Sequence, residues 1–244
     1  LNRLGNADAL INVARAFSDE SIPHIEGSID VERDIATTNL ELALYDLGIV
    51  GRRLERIETS LKGAKPTERA GLLREQELLT RLKADLEKDV PIRGLRLTAD
   101  EVRTIANYQF LTAKPLLIVA NIGEEQIPQA KALEAQLGSR YLGAKSGVIT
   151  LCGKLEMELS QLDNDAAKSF RAEFGITESG PERVIKLSYE LLDLISFFTI
   201  VSGEVKAWSI QKSTIAVKAA GKIHSDMEKG FIRAEVISYD DLMK

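Results

Sequence analysis

The hydrophobic positions along this chain change period several times, and each change marks a new element. Ala9 to Phe17, "ALINVARAF", is a short apolar run suited to a buried parallel strand. Turn-forming residues dominate the next stretch, "SDESIPHIEGSIDVERD", Ser18 to Asp34. Then Leu40, Ala43, Leu47, Val50, Leu54, Ile57 and Leu61 recur at spacings of three and four. That spacing lines them along one seam of a helix, with Arg52, Arg53, Glu55 and Arg56 beside it. Gly63 and Pro66 interrupt the pattern, and Leu72, Leu79, Leu82 and Leu86 resume it. Two long helices separated by so short a break are predicted to fold back as an antiparallel hairpin, which Pro91 to Gly94 closes.

Thr98 opens a third helix. In "TADE" Glu101 follows Thr98 at the spacing of a capping box, and Val102, Ile105 and Leu111 supply the apolar face. Pro115 to Asn121 then reads as a strand, the residues around Gln129 to Leu137 as a polar helix, and Gly147 to Leu151 as another strand. Strand, helix and strand in this order predict a parallel α/β sheet, with the helical hairpin inserted between its strands. After Pro181, "PERVIKLSYELLDLI" is helical, and Phe197 to Ile210 splits into two strand-like halves about Ser202 and Gly203, a predicted hairpin. Ser213 to Ile223 is rich in small residues and reads as helix, while Gly230 to Ser238 alternates like a half-buried strand. A small α+β module with a thin sheet is the expectation for this last part.

Composition narrows the class. The 244 residues leave room for two domains and a sizeable core, and 44% hydrophobic with 28% charged residues is ordinary for a globular protein. No apolar run reaches the about 18 residues of a membrane span, and nothing near the start has the pattern of a secretion signal. Cys152 is the only cysteine, so an internal disulfide is impossible and a reducing cytoplasm fits best. A net charge of −5 opposes a bulk electrostatic grip on nucleic acid but leaves room for a local basic patch. Leu1 is not an initiator methionine, and "LNRLGNADALINVARAF" reads as a helix end running into a strand, so the chain is expected to be a fragment or to lack internal segments.

The candidate chemistry sits at strand ends. In a nucleotide-binding α/β domain the ligand lies at the carboxyl ends of parallel strands, where Asn121 and Cys152 stand. GTP-binding proteins end the corresponding strand in asparagine, lysine, any residue, aspartate, and the aspartate accepts two hydrogen bonds from guanine. Here the tetrapeptide is Asn121-Ile122-Gly123-Glu124: the lysine is absent and the carboxylate is one methylene longer. Adenine has no paired donors on that edge, so the change favours adenine or relaxed recognition. Asn, Gly and Glu are also common turn residues, which leaves a plain turn open at this point. The phosphate-binding signature G-x-x-x-x-G-K-[ST] and an Asp-x-x-Gly occur nowhere in the chain.

Several segments together resemble one family. "IHSDMEKGFIRAEVISYDD" (Ile223 to Asp241) looks like the C-terminal signature of the Obg-like ATPases, the YchF subfamily of Obg-related P-loop proteins. "FFTIVSGEVKAWSI" is similar to that family's "FFT…EVRAWTI", and "DALINVARAFSDESIPHIEG", "LLIVANIGEE" and "ERVIKLSYELLDLISFFT" match it in order and spacing. The resemblance implies a P-loop G domain in two parts (1–33 and 114–192), a helical coiled-coil insertion (34–113) and a truncated C-terminal TGS domain of β-grasp type (193–244). It also implies a cytoplasmic, monomeric ATPase, ATP preferred over GTP, that uses Mg²⁺ and contacts the large ribosomal subunit or its RNA through the coiled coil and TGS domain. Asn121 and Glu124 would form the family's Asn-x-x-Glu motif, Ile122 would meet adenine through its backbone, and Cys152 with Gly153 would form the last base-contacting loop. His24 falls where the family carries a histidine proposed to orient the attacking water.

The departures also matter. The family's phosphate loop, magnesium ligands and switch regions precede Leu1, and the TGS sheet continues past Lys244, so this chain by itself is expected not to hydrolyse ATP. The family more often has alanine at the place of Gly153, and "QKSTIAVKAAG" departs from its "GTKAPQAAG". Arg52, Arg53, Arg56, Lys62, Lys65 and Arg69 make a basic hairpin tip that suits RNA phosphates or, balanced by Glu55, Glu58 and Glu68, a solvated helix face. Glu156 with Glu158, and Asp163 with Asp165, are spaced to point apart on a helix, and His24 and His224 have no partners at metal-ligand spacing. A non-catalytic ribosome- or RNA-binding module is the competing expectation, and a protein-interaction scaffold the third.

Overall fold

Three strands, β1 (Leu10–Arg15), β2 (Leu116–Asn121) and β3 (Ser146–Leu151), form a parallel sheet in the order β1-β2-β3. The computed structural model describes residues 2–201 and 203–244. The chain divides into two compact units, Leu1–Leu191 and Leu192–Lys244. In the first unit the helices are α1 (Val31–Leu61), α2 (Pro66–Leu86), α3 (Ala99–Ile105), α4 (Ala130–Tyr141), α5 (Gly153–Leu159), α6 (Asn164–Glu173) and α7 (Gly180–Leu191).

Pleating sends alternate residues of β2 to opposite layers. Leu116, Ile118 and Ala120 pack with Ile35 and Leu42 of α1 and Leu137 of α4, while Leu117 and Val119 pack against Val184, Leu187 and Leu191 of α7. A central strand covered on both faces accounts for its continuous apolar run. On β1, Ile11 and Val13 remain 51% and 63% exposed, so the layer facing α7 stops short of that strand. At the outer edge of β3 the backbone groups of Thr150 are met by side chains. Glu134 accepts from Thr150 N–H at 2.8 Å, Arg183 donates to Thr150 C=O at 3.1 Å, and the two side chains pair at 2.9 Å.

The predicted helical hairpin is present. Val50, Ile57, Leu79, Leu82 and Leu86 are buried between α1 and α2, and Pro66 sits in the first turn of α2, where its missing N–H costs nothing. Arg69 donates to Leu61 C=O and Arg53 grips Glu75 at 2.8 and 2.7 Å, as antiparallel helices require. Each fully buried aliphatic side chain contributes roughly 1.5–3 kcal/mol, against about 1 kcal/mol for a partly exposed ion pair. Packing therefore decides the hairpin, and the ion pair adds to it.

Hydrogen bonds from Arg53 hold Glu75 below the ordinary carboxylate value of 4.5, against the opposing effect of burial, and Tyr108 adds a further bond. A depressed folded value means that this contribution is complete above pH 4.5 and is lost as pH falls through the lower folded value. Glu75→Gln is expected to cost about 1 kcal/mol at neutral pH and progressively less in acid, which urea titrations across that window will measure.

Four sequence expectations need correction. The loop read as running to Asp34 ends earlier, because Asp30 caps α1 by accepting from Arg33 N–H at 3.0 Å. Leu40 is exposed rather than on the seam: the first turns of α1 pack on the sheet and only later turns face α2, so the buried side rotates. The Thr98 capping box opens α3 as expected, but Val102 is exposed, and Leu111 belongs to a separate 3₁₀ turn after Gln109 adopts φ 53°. The helix expected to reach Ile195 stops at Leu191, and Asp193 at φ 54° turns the backbone into the next strand.

In the second unit β4 (Leu194–Val201) and β5 (Glu204–Gln211) pair antiparallel, and Trp208 donates to Thr199 Oγ1 at 3.0 Å. Gly203 takes φ 83°, which suits glycine, while Ser202, the other half of the predicted turn, lies outside the described residues. Helices α8 (Ala216–Ile223), α9 (Ser225–Lys229) and α10 (Tyr239–Leu242) follow. Gly230 to Ser238 is not a strand, another correction, and Ile232 and Val236 are 91% and 90% exposed. Alternation names the residues that would share a face, but a strand exists only beside a partner ladder. No described residue of this unit supplies one.

Candidate functional site

The ends of β2 and β3 are brought together by hydrogen bonds that local sequence alone does not specify. Asn121 and Leu151 are register partners, and Ile122 N–H donates to Leu151 C=O at 2.9 Å. The Asn121 side chain turns sideways, and its Oδ1 accepts from Gly153 N–H at 2.9 Å. On the other side Asn121 C=O accepts from Ala16 N–H at 2.8 Å, so this residue ties all three strand ends. A Cβ at position 153 would stand 3.1 Å from Asn121 Oδ1, which makes alanine there a tight but small adjustment.

Beneath the rim, the Ile122 and Cys152 side chains are buried with Leu155, Leu159 and Ala167. Burial pushes the Cys152 thiol above its ordinary value, so this is a packing residue and not a poised nucleophile. Glu124 stands on the outer side of the loop, and its carboxylate meets the Lys154 ammonium at 3.1 Å. The structure thus gathers Asn121, Ile122, Glu124, Cys152 and Gly153 at one end of the sheet. Sequence reasoning missed Lys154: it follows Gly153, but its pairing with Glu124 depends on the folding of two separate loops.

His24 lies in the loop after β1, which Arg15 staples by donating to Phe17, Asp19 and Ile22 carbonyls. Its Nε2 is 2.9 Å from Asp34 Oδ2, and Glu26 N–H donates to its Nδ1 at 3.2 Å. With Nδ1 accepting, Nε2 carries the proton donated to Asp34. His24 borders a cleft of about 500 Å³ that Glu125 and Gln126, from the Asn121 loop, also line. Asp34, which also receives the Arg33 guanidinium, is a second residue that the sequence did not single out.

The family model named "YchF-GTPase_C", described as "Protein of unknown function (DUF933)", matches residues 194–244. The "Ribosome-binding ATPase YchF" of Bacillus subtilis is 38% identical over 245 residues, covering 100% of this chain and 66% of that protein. The chain belongs to the YchF family. The "Obg-like ATPase 1" of Caenorhabditis elegans is 33% identical across 100% of this chain and 62% of its own length. A solved structure described as "Structure of the Schizosaccharomyces pombe YchF GTPase" superposes with a TM-score of 0.86 at 29% identity, covering 99% of this chain and 65% of that one. This YchF-family chain therefore spans just under two thirds of those relatives.

Within the YchF frame, other candidates resolve into structural roles. Arg53 of the basic hairpin is committed to Glu75 and Tyr108 and is not available to a polyanion, whereas Arg52, Arg56, Lys62 and Lys65 are exposed. Glu156 joins Arg171 to Gly180 N–H at 3.1 and 2.7 Å, and Asp163 caps α6, so neither forms a catalytic carboxylate pair. Among the described residues no three His, Cys, Asp or Glu side chains converge to hold a cation. Among the described residues no helix is long and apolar enough to cross a membrane.

Proposed function

We propose that the intact protein is a cytoplasmic, ribosome-associated hydrolase that prefers ATP to GTP. The observation carrying this reading is the 2.9 Å bond from Gly153 N–H to Asn121 Oδ1, which supports one purine rim built from the loops after β2 and β3. In that rim Asn121 braces the two loops. The Ile122 carbonyl meets the adenine amine, Glu124 lies at the base edge, and the Cys152–Gly153 backbone backs the ring. His24, once released from one of its two present partners, orients the attacking water. The grip on the triphosphate and on magnesium is assigned to the part of the full-length protein that this chain does not span.

The names of the Bacillus and Caenorhabditis relatives support the ATPase and ribosome parts of this reading. The helical hairpin acts as a coiled-coil arm toward ribosomal RNA, and the unit from Leu192 as the opening of a β-grasp TGS domain. The domain scheme is then a G domain in two parts, 1–33 and 114–192, around the 34–113 arm, with the TGS domain from 193, all in a monomer. A second reading, a non-catalytic RNA-binding module, is favoured by the exposed Arg52, Arg56, Lys62 and Lys65 at the hairpin tip.

The full-length protein separates the two. It is expected to hydrolyse ATP, to co-sediment with ribosomes to an extent that depends on nucleotide, and to lose about tenfold or more in ATP affinity on Asn121→Ala, which leaves Gly153 N–H unpaired. Ribosome binding indifferent to nucleotide, with no turnover, leaves only the second reading.

A further inference from the structure

The tetrapeptide Asn121-Ile122-Gly123-Glu124 has no lysine of its own, but one from the start of α5 stands beside its carboxylate. Lys154, second residue of α5, reaches Glu124 Oε1 at 3.1 Å because Asn121 fastens Gly153 and so sets where α5 begins. Glu124, by hydrogen bond and by charge, does most to hold the Lys154 ammonium in its charged form, and Glu158 adds to it. Both side chains are at least partly exposed, so each is accessible at the rim rather than locked in the core.

We infer that Lys154 is the residue that turns the Glu124 carboxylate away from guanine, making the Lys154–Glu124 pair the specificity device of the purine rim. This rests on the reading of that rim as a base site. Guanine presents N1–H and the exocyclic N2 amine together, and a carboxylate recognises that pair best when both oxygens are turned to it and its charge is uncompensated. An ammonium on Oε1 occupies part of that oxygen, turns it aside and offsets the charge, so guanine's two donors meet a weakened acceptor. Adenine presents an acceptor nitrogen and one amine, and asks nothing of the second oxygen. A ligand base that covers the pair also excludes water from it and strengthens the coupling between them. The device is therefore weak in the free protein and strong in the complex.

The test uses the full-length protein and measures dissociation constants for ATP and GTP by calorimetry. In Lys154→Gln the GTP-to-ATP affinity ratio is expected to rise about tenfold, chiefly through tighter GTP binding. In a Glu124→Gln background the same Lys154→Gln change is expected to leave the ratio unmoved, because the lysine acts through the carboxylate. Parent protein that binds ATP, with a ratio unchanged within twofold or moving toward ATP in Lys154→Gln, overturns the role of Lys154 and leaves the base site standing. A tenfold rise that persists in the Glu124→Gln background overturns the mechanism through Glu124. Parent protein that binds neither nucleotide removes the base site itself, and this inference with it.

Discussion

Asp46→Ala is expected to destabilise the first unit by about 3–5 kcal/mol, the cost of stripping a buried charge network of one partner. Asp46 is fully buried on α1, and its carboxylate accepts from Leu111 N–H at 2.9 Å, Thr112 N–H at 2.8 Å and Thr112 Oγ1 at 2.7 Å. These donors lie in the 3₁₀ turn that leads into β2, so one side chain fastens the hairpin to the central strand. Arg93, also buried, donates to Thr112 C=O at 3.3 Å and supplies the nearby positive charge. Burial pulls its guanidinium down to about 10, still charged at neutral pH.

Alanine would leave three donors unpaired and Arg93 uncompensated, and the penalty for stranded buried groups exceeds the net value of the bonds lost. Equilibrium urea unfolding at neutral pH reads the effect, with Asp46→Asn expected to lose less because one acceptor oxygen remains. Burial raises the Asp46 carboxyl above its ordinary 3.8, so the folded chain holds that proton more tightly than the unfolded chain. Its own contribution therefore declines as pH rises from 3.8 through the raised value, the reverse of Glu75. Acid weakens the hairpin through Glu75 and not through Asp46.

His24→Ala in the full-length protein is expected to lower ATP turnover by about 100-fold with little change in ATP affinity. The histidine stands beside the cleft rather than on the purine rim, and its proposed work is on the water and not on the base. Both ring nitrogens are engaged, Nε2 with Asp34 and Nδ1 with Glu26 N–H, so its tautomer is fixed before any substrate arrives. Asp34 lies in the first turns of α1, which connects the orientation of His24 to the base of the helical hairpin. Single-turnover kinetics separate the chemical step from binding. Unchanged turnover in His24→Ala would falsify the assignment while leaving the purine rim untouched.

Much of the fold was legible because its elements announce themselves locally. The three- and four-residue spacing from Ala43 to Leu61 and the Thr98-Glu101 box are properties of neighbouring residues, and the helices formed where those signals lie. The apolar run from Leu116 to Ala120 became the doubly covered strand it implied. Where a local signal needed a distant partner, it misled. Leu40 and Val102 had the right period but faced solvent, and Gly230 to Ser238 had the right alternation but no neighbouring strand among the described residues.

The candidate site divides in the same way. Asn121 and Cys152 could be named from sequence because a parallel sheet places its strand ends together. That Asn121 Oδ1 would hold Gly153, that Lys154 would neutralise Glu124, and that Asp46 would knit α1 to Thr112 were decided only by tertiary structure. Period and propensity are short-range quantities that fix which backbone segments form. Side-chain pairing across tens of residues depends on angles and distances that exist only once those segments have packed.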